Sequence, residues 1–187
     1  MNGWGVYVMV VALASGEARS QQPKPPPDPL HDVRFLVGRW HGSSEGQAGK
    51  GVVSRSDEPV LRERFLHERN KSEYAPQAAN PKGEVHEHWS FLSEHWSFLS
   101  YDKIRQTVVL RQFHVEGFVN TYRLTQRPGS SKVLVFESEQ IDNLPGEWRA
   151  RETYEQISDD EFSETFELAP PGKPFETYGK TRLRRVR

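Results

Sequence analysis

From Trp40 onwards, short runs of alternating apolar and polar residues follow one another, and turn-forming residues separate them. The run at 107–115, for example, places Val108, Leu110 and Gln112 on one side of a strand and the intervening residues on the other. Sequences such as PGSS, NLPG and PPGK supply the turns. The pattern predicts an all-β domain of about nine or ten consecutive antiparallel strands.

Consecutive antiparallel strands in one small domain favour a closed up-and-down β-barrel, because closure leaves no unpaired edge. A sandwich of two sheets is the alternative. Several predicted strands carry acidic and aromatic residues on the same side, as Glu152 beside Tyr154 and Glu164 beside Phe162. A barrel with a partly polar lumen accommodates this better than a dry sandwich core, and such a lumen is a common small-ligand site. Candidate ligand contacts are Tyr122, Tyr154, Trp148 and His114.

The first twenty-nine residues divide into two segments that precede the barrel domain at 30–187. The apolar run WGVYVMVVALA is too short to span a bilayer and is followed by small residues, which predicts a signal peptide at 1–20 and a secreted or periplasmic protein. A buried N-terminal strand is the alternative. The proline-rich segment 21–29 predicts a linker. A short helical turn is predicted to follow it, with Leu30, Val33 and Leu36 facing inward.

Composition narrows the classes of function. The chain has 187 residues and a formal net charge of -1, which argues against a basic nucleic-acid-binding protein. The absence of cysteine excludes disulfides and thiolate chemistry. There is no Gly-x-Ser-x-Gly elbow and no phosphate-binding loop, so we assign no catalytic residue. We expect a small apolar molecule as the partner, no nucleic acid, and no stable membrane insertion after signal cleavage.

Three short features resemble known barrels. The opening FLVGRWHGSSEG carries Leu36, Gly38, Trp40 and Gly42 in an LxGxWxG pattern, the middle of the chain has an aromatic–Tyr–Asp stretch at 98–102, and the end is basic. Together these features resemble calycin-type barrels such as lipocalins and, more closely, nitrobindin-like haem-binding barrels and related secreted bacterial domains.

The resemblance implies specific roles for residues at both ends of the domain. It implies that an arginine of the last strand, Arg182 or Arg184, closes the barrel over Trp40 beside Gly38. It also implies haem as a possible cofactor with reactive-nitrogen chemistry. In the nitrobindin-like barrels a histidine of a closing strand binds the haem, whereas the last strand here has no histidine and Tyr178 stands near that position. Trp40 and Tyr178 therefore complete the ligand-binding candidates.

Two further patterns of titratable residues have competing interpretations. His86 and His88 share a strand face and could bind one metal, although a pair of surface histidines is the favoured interpretation. Glu152 and Glu164 could act as an acid–base pair in the lumen, but ion pairs with Arg123, Arg149 and Arg151 of neighbouring strands are the favoured interpretation. No metal site is assigned.

The segment EHWSFLS occurs twice in succession, at 87–93 and 94–100. Seven is an odd number, so the second copy reverses the side of a strand to which each residue points. We predict that one copy pairs within the barrel, that the other lengthens the neighbouring hairpin, and that deletion of 94–100 stabilises the fold. His95 exists only because of the second copy, which argues against a metal cluster that includes it.

Three functions are consistent with these observations. The first is a barrel that binds a small, largely apolar ligand in its lumen, without catalysis. The second is a nitrobindin-like haem protein. The third is a structural or interaction barrel with a filled core.

Overall fold

The structure, a computed structural model, describes residues 27–74, 91–127 and 132–187, with the backbone alone described at 91–93. In these ranges ten strands follow a 3-10 helix at His31–Leu36. The strands are β1 (Gly38–Gly46), β2 (Gly49–Val60), β3 (Phe65–Tyr74), β4 (Phe91–Asp102), β5 (Thr107–His114), β6 (Val119–Gln126), β7 (Val133–Asp142), β8 (Arg149–Ser158), β9 (Glu161–Ala169) and β10 (Glu176–Arg185). Each strand pairs antiparallel with the next, and β10 closes on β1. The closed up-and-down barrel and the preceding helical turn are confirmed, and the sandwich is excluded.

The 3-10 helix covers one end of the barrel, which we call the base. Leu30, Val33 and Leu36 are buried there, as their spacing predicts. Asp28 accepts a hydrogen bond from the Leu30 amide at 2.9 Å and fixes the start of the helical turn. Trp40 lies above the helix and donates its indole N–H to the Leu36 carbonyl at 2.7 Å. The helix and the first strand are therefore locked together by one buried polar contact within an apolar core.

Arg185 is the arginine that closes the base, which corrects the expectation of Arg182 or Arg184. Its guanidinium lies 4.1 Å from the centre of the Trp40 ring and donates to the Val37 carbonyl at 2.6 Å. Leu183 is fully buried, so alternation along β10 turns residue 185 inward and turns 182 and 184 outward. Arg182 and Arg184 instead contact Glu161 on the exposed face of the barrel.

Gly38 leaves the room that this closure needs. Its φ of +142° is unfavourable for residues with a side chain, and a Cβ built there would lie 2.3 Å from Arg185 Nη1. The glycine of the LxGxWxG pattern therefore has a physical role, since it lets the arginine approach the backbone and the Trp40 ring together.

Inward side chains change in character from the base to the opposite end, which we call the far end. Near the base they are large and apolar, and they form one core with Trp40, Leu66, Phe136 and Phe162. Towards the far end most of them are smaller and polar, although Phe166 and Leu168 of β9 also pack against the core there. The smaller polar residues are Ser44, Asn70, Ser72, Ser97 and Asn120. The lumen is therefore amphipathic along its axis.

The second copy of the repeated heptad lies within the barrel wall. Residues 94–100 form the middle of β4 and pair with β3, and those from His95 onwards also pair with β5. Of the first copy, 91–93 extend β4 along β3, and 87–90 lie outside the described residues. The prediction that one copy pairs within the barrel is confirmed. The predicted signal peptide at 1–20 also lies outside the described residues.

Candidate functional site

A buried arginine spans the lumen at mid-height. Arg55 of β2 donates to Glu68 of the adjacent β3 at 2.5 Å and to Glu164 of β9 at 2.5 Å. Since β1 and β10 separate β2 from β9 in the wall, the Glu164 contact crosses the barrel interior. Arg55 also contacts Asp57 at 3.1 Å, and the side chains of Arg55, Asp57 and Glu68 are fully buried. One guanidinium thus holds three carboxyl groups in a medium of low dielectric constant.

Histidines of β4 and β5 extend this cluster towards the far end. His95 Nε2 lies 2.8 Å from the second oxygen of Glu68. The His114 ring is 5.2 Å from the His95 ring, and His114 Nε2 lies 3.2 Å from the Asn120 amide nitrogen. That amide also donates to the Tyr122 hydroxyl at 3.0 Å. A chain of polar contacts therefore runs from Arg55 through β3, β4 and β5 to β6.

Several buried polar atoms of the lumen make no hydrogen bond of ordinary geometry with a described residue, although the Gln112 amide lies near enough to Glu152, and the Ser97 hydroxyl near enough to Glu68, to lower the pKa of each carboxyl group. These polar atoms are Ser97 Oγ, Gln112 Oε1 and Nε2, Asn120 Oδ1, Glu152 Oε2 and Tyr154 OH. All five residues are buried, and they come from strands β4, β5, β6 and β8. Buried polar groups in folded proteins are nearly always paired with protein, water or ligand. This convergence of unpaired groups makes the lumen the candidate functional site.

The electrostatics of the cluster follow from one cation among four carboxyl groups. Burial, together with the charges of Glu164 and Glu68, raises the pKa of Glu152 well above its ordinary value. Burial also raises the pKa of Asp57 to about 8, against the opposing effect of Arg55. For Glu68 burial acts in the same direction, but Arg55 and His95 hold its pKa below the ordinary value. The ion pair with Arg55 thus belongs chiefly to Glu68, and burial favours the neutral form of Glu152.

Half of the ligand-binding candidates from the sequence line the lumen. Tyr122 and Tyr154 are fully buried there, and His114 is partly buried, which together with His95 lowers its pKa to about 4. Trp40 belongs to the closure at the base. Trp148 and Tyr178 lie at the far end, where Tyr178 is 37% exposed and its ring packs edge-on against Phe166. The structure therefore does not bring the six residues together at one site.

The ion pairs that we favoured for Glu152 and Glu164 are absent among the described contacts. Glu164 pairs with Arg55, and the buried Glu152 has no charged partner there. Arg151 points outward and pairs with Glu167 at 2.6 Å. The error arose because residues of neighbouring strands pair across the ladder only when both point to the same face.

The sequence reasoning missed several members of the cluster, among them Arg55, Asp57, Glu68, His95 and Gln112. Alternation offered a signal for two of them, because Arg55 follows Val53 and Glu68 follows Leu66 at two-residue spacing in predicted strands. His95 was discounted because it belongs to the duplicated heptad. The structure nevertheless assigns the inward position beside Glu68 to this histidine.

Among the described residues, no group of three or more potential ligands is arranged to hold a metal ion. The candidates His86 and His88 lie outside the described residues. Among those residues no helix has the length and apolar character needed to cross a membrane.

An aromatic surface covers the outside of β3, β4 and β5. The His67 ring stacks on Phe98 with 4.8 Å between centroids, and Trp96 packs edge-on against His67. Trp96 is 46% exposed and Phe113 44%. The repeated heptad contributes both Trp96 and Phe98 to this surface.

Comparison with known proteins supports the fold. No family model matches the chain, and no curated protein matches it. The crystal structure of Rv2717c from M. tuberculosis is similar, with a TM-score of 0.59 and 18% identity over 86% of this chain and 99% of that one. A redesigned β-barrel covers 83% of this chain and 96% of its own length at 8% identity, with a TM-score of 0.36. At these identities the likeness to Rv2717c concerns the fold alone.

Proposed function

We propose that this protein is a small-molecule-binding barrel whose ligand sits in the lumen above Arg55, and we assign it no catalytic step. The observation that carries the proposal is the convergence of unpaired buried polar atoms from β4, β5, β6 and β8. Unpaired polar groups destabilise a fold by about 1–3 kcal/mol each. Ligand binding accounts for their retention, because a bound polar group would satisfy several of them together.

The dimensions of the barrel support a ligand in the far half. A barrel of about eight strands is filled by its own side chains, and this barrel has ten. Its far half carries mostly small inward side chains, such as Ser44 and Ser72. The sequence suggested a largely apolar ligand, and the polar wall of Gln112 and Glu152 favours a molecule that also carries a hydrogen-bonding group.

Haem, which the family resemblance implies, fits the described residues poorly. Tyr178 packs against Phe166 at the rim. The lumen wall below carries Arg55 and several buried carboxyl groups, whereas the faces of a porphyrin require apolar walls. We therefore derive no chemistry through haem and keep it as one outcome of a binding test. A sharp Soret shift at one equivalent of haemin would revive it.

A filled barrel that acts as an interaction module is the second candidate. The complete burial of Tyr122, Tyr154 and Phe136 favours it, as does the exposed aromatic surface around Trp96 and Phe113. This candidate predicts self-association or partner binding at the aromatic surface and no uptake of a small ligand.

Export to the periplasm or the medium is proposed on the apolar run at 4–14 alone.

A leucine at position 112 separates the two candidates. Gln112→Leu removes two buried polar atoms and with them the amide beside Glu152, so in a filled core it should change stability alone. If the lumen is a site, the same substitution should also weaken binding of n-hexanol, measured by isothermal titration calorimetry, at least fivefold. Gln140→Leu on the exposed end of β7 is the matched control and should leave binding unchanged. Unaltered hexanol binding by the Gln112→Leu variant would contradict the proposed site.

A further inference from the structure

The lumen contains more buried acid than base. In the described residues, Asp57, Glu68 and Glu152 are buried and Glu164 is nearly so, while Arg55 is the single buried Arg or Lys. Arg55 contacts three of these carboxyl groups and not Glu152. A carboxyl group that is buried without a cation stays neutral or recruits a positive charge.

The unpaired atoms around Glu152 consist mainly of hydrogen-bond acceptors, which suits a positively charged donor. Two of them are amide carbonyl oxygens that only accept hydrogen bonds, Gln112 Oε1 and Asn120 Oδ1, and Glu152 Oε2 joins them when its carboxyl group is ionised. The hydroxyls of Ser97 and Tyr154 both donate and accept, and Gln112 Nε2 is the one donor that cannot accept. A ligand that satisfies this set must donate several hydrogen bonds. An ammonium group supplies three donors, no acceptor and a positive charge.

The surrounding side chains also suit an amine with an apolar body. The rings of Tyr122 and Tyr154 are buried beside the acidic cluster, and Phe136 packs edge-on against Tyr154 at 5.9 Å. Aromatic faces attract cations and also shelter hydrocarbon. A carboxylate or phosphate ligand would instead meet like charge in a medium of low dielectric constant.

We propose that the lumen binds a small primary amine, with its ammonium group on Glu152 Oε2 and the Gln112 carbonyl oxygen. This inference rests on the proposed lumen site and adds the charge of the ligand. Binding transfers the Glu152 proton to solvent as the carboxylate pairs with the ammonium ion, so affinity for an amine rises with pH below the pKa of the amine. The charged and titratable groups around Glu152 are Arg55, Glu68, Glu164, Tyr122 and Tyr154.

Three probes with one hydrocarbon chain test this inference on the full chain. Calorimetric titrations use n-hexylamine, n-hexanol and hexanoate at pH 6, 7 and 8. We expect hexylamine to bind at least tenfold more tightly than hexanol at pH 8, and hexanoate to bind more weakly than either. Hexylamine affinity should rise between pH 6 and 8, while hexanol affinity stays constant.

Two variants locate the effect. Glu152→Gln resembles the protonated side chain in shape and should fold, yet it should lower hexylamine affinity at least tenfold while changing hexanol affinity less than threefold. Glu167→Gln, on the outer wall of β9, is the matched control and should change neither. If hexylamine and hexanol bind with equal affinity and both lose binding in Gln112→Leu, the proposed preference for an amine is wrong and the proposed lumen site is still supported. No binding of any of the three probes would overturn both proposals.

Discussion

Removal of the Arg55 guanidinium tests the energetics of the lumen cluster most severely. Arg55→Met keeps much of the side-chain volume but leaves Asp57, Glu68 and Glu164 without their cation. Breaking a buried ion pair on one side costs about 3–5 kcal/mol. Because three carboxyl groups depend on Arg55 and two of them are fully buried, we expect the upper end, about 4–5 kcal/mol.

Urea unfolding followed by tryptophan fluorescence measures this loss. With a slope of about 2 kcal/mol per molar urea, the midpoint should fall by roughly 2 M. Arg151→Met is the control, because its pair with Glu167 is 2.6 Å long but Arg151 is 30% exposed, so the loss should stay below about 1 kcal/mol. A loss of under 1 kcal/mol for Arg55→Met would refute the account of a coupled buried cluster.

The pH dependence gives a second test with a definite sign. Without Arg55 the buried carboxyl groups have raised pKa values in the folded state and ordinary ones in the unfolded chain. Such groups contribute their full stabilisation of the fold at a pH below the pKa of the unfolded state. This stabilisation is lost as the pH rises through the pKa of the folded state. The difference between Arg55→Met and the wild type should therefore shrink from pH 8 to pH 5. If the single variant does not fold, adding Asp57→Asn, Glu68→Gln and Glu164→Gln should restore most of the stability.

Three further predictions concern the base and the repeat. Gly38→Ala should destabilise the fold by about 2–3 kcal/mol, because the new Cβ would meet Arg185. The control Gly117→Ala also has positive φ but open space around it, and it should cost only about 1–2 kcal/mol. Equal losses of stability in thermal unfolding would count against the closure of the base by Arg185. Arg185→Lys should lower the free energy of unfolding in urea by about 1–2 kcal/mol, and Arg184→Lys by less than about 0.5 kcal/mol. The reverse order would mean that Arg184 closes the base. Deletion of 94–100 should raise the melting temperature slightly, since the β3–β4 connection loses seven residues and about 0.5 kcal/mol of closure entropy; a lower melting temperature would contradict it.

The deletion has an unusual property, because removing either heptad gives the same chain. The motif histidine, His88 in the first copy, then takes the inward place that His95 holds beside Glu68. The deleted chain should therefore keep the same binding behaviour. Loss of hexanol binding after deletion would mean that the duplication itself builds the site.

Alternation along the chain was sufficient to predict the fold, because consecutive short strands with turn residues leave few arrangements besides a closed barrel. It also placed Tyr122, Tyr154 and Glu164 on inward faces. The partner of Glu164 could not be predicted in this way. Arg55 is 109 residues away, and their contact across the lumen depends on how the closed strands are staggered.

The closing arginine shows a second limit of sequence reasoning. A register irregularity between Thr177 and Gly179 changes which residues of β10 face inward, so counting from Tyr178 does not predict the orientation of the basic residues. Counting from Leu183 does, since an apolar residue among arginines marks the inward face. The buried leucine was the usable signal, and it points to Arg185.

Occupation of the lumen by an amine is the central claim, and the side-chain amide of Gln112 reports on it most directly. In ¹⁵N–¹H spectra recorded during titration with n-hexylamine, the Gln112 amide signals should shift and reach saturation with the calorimetric affinity. The amide of Gln140 on the exposed end of β7 should not move. Shifts confined to exposed residues, with the Gln112 signals unchanged at saturating hexylamine, would contradict the account.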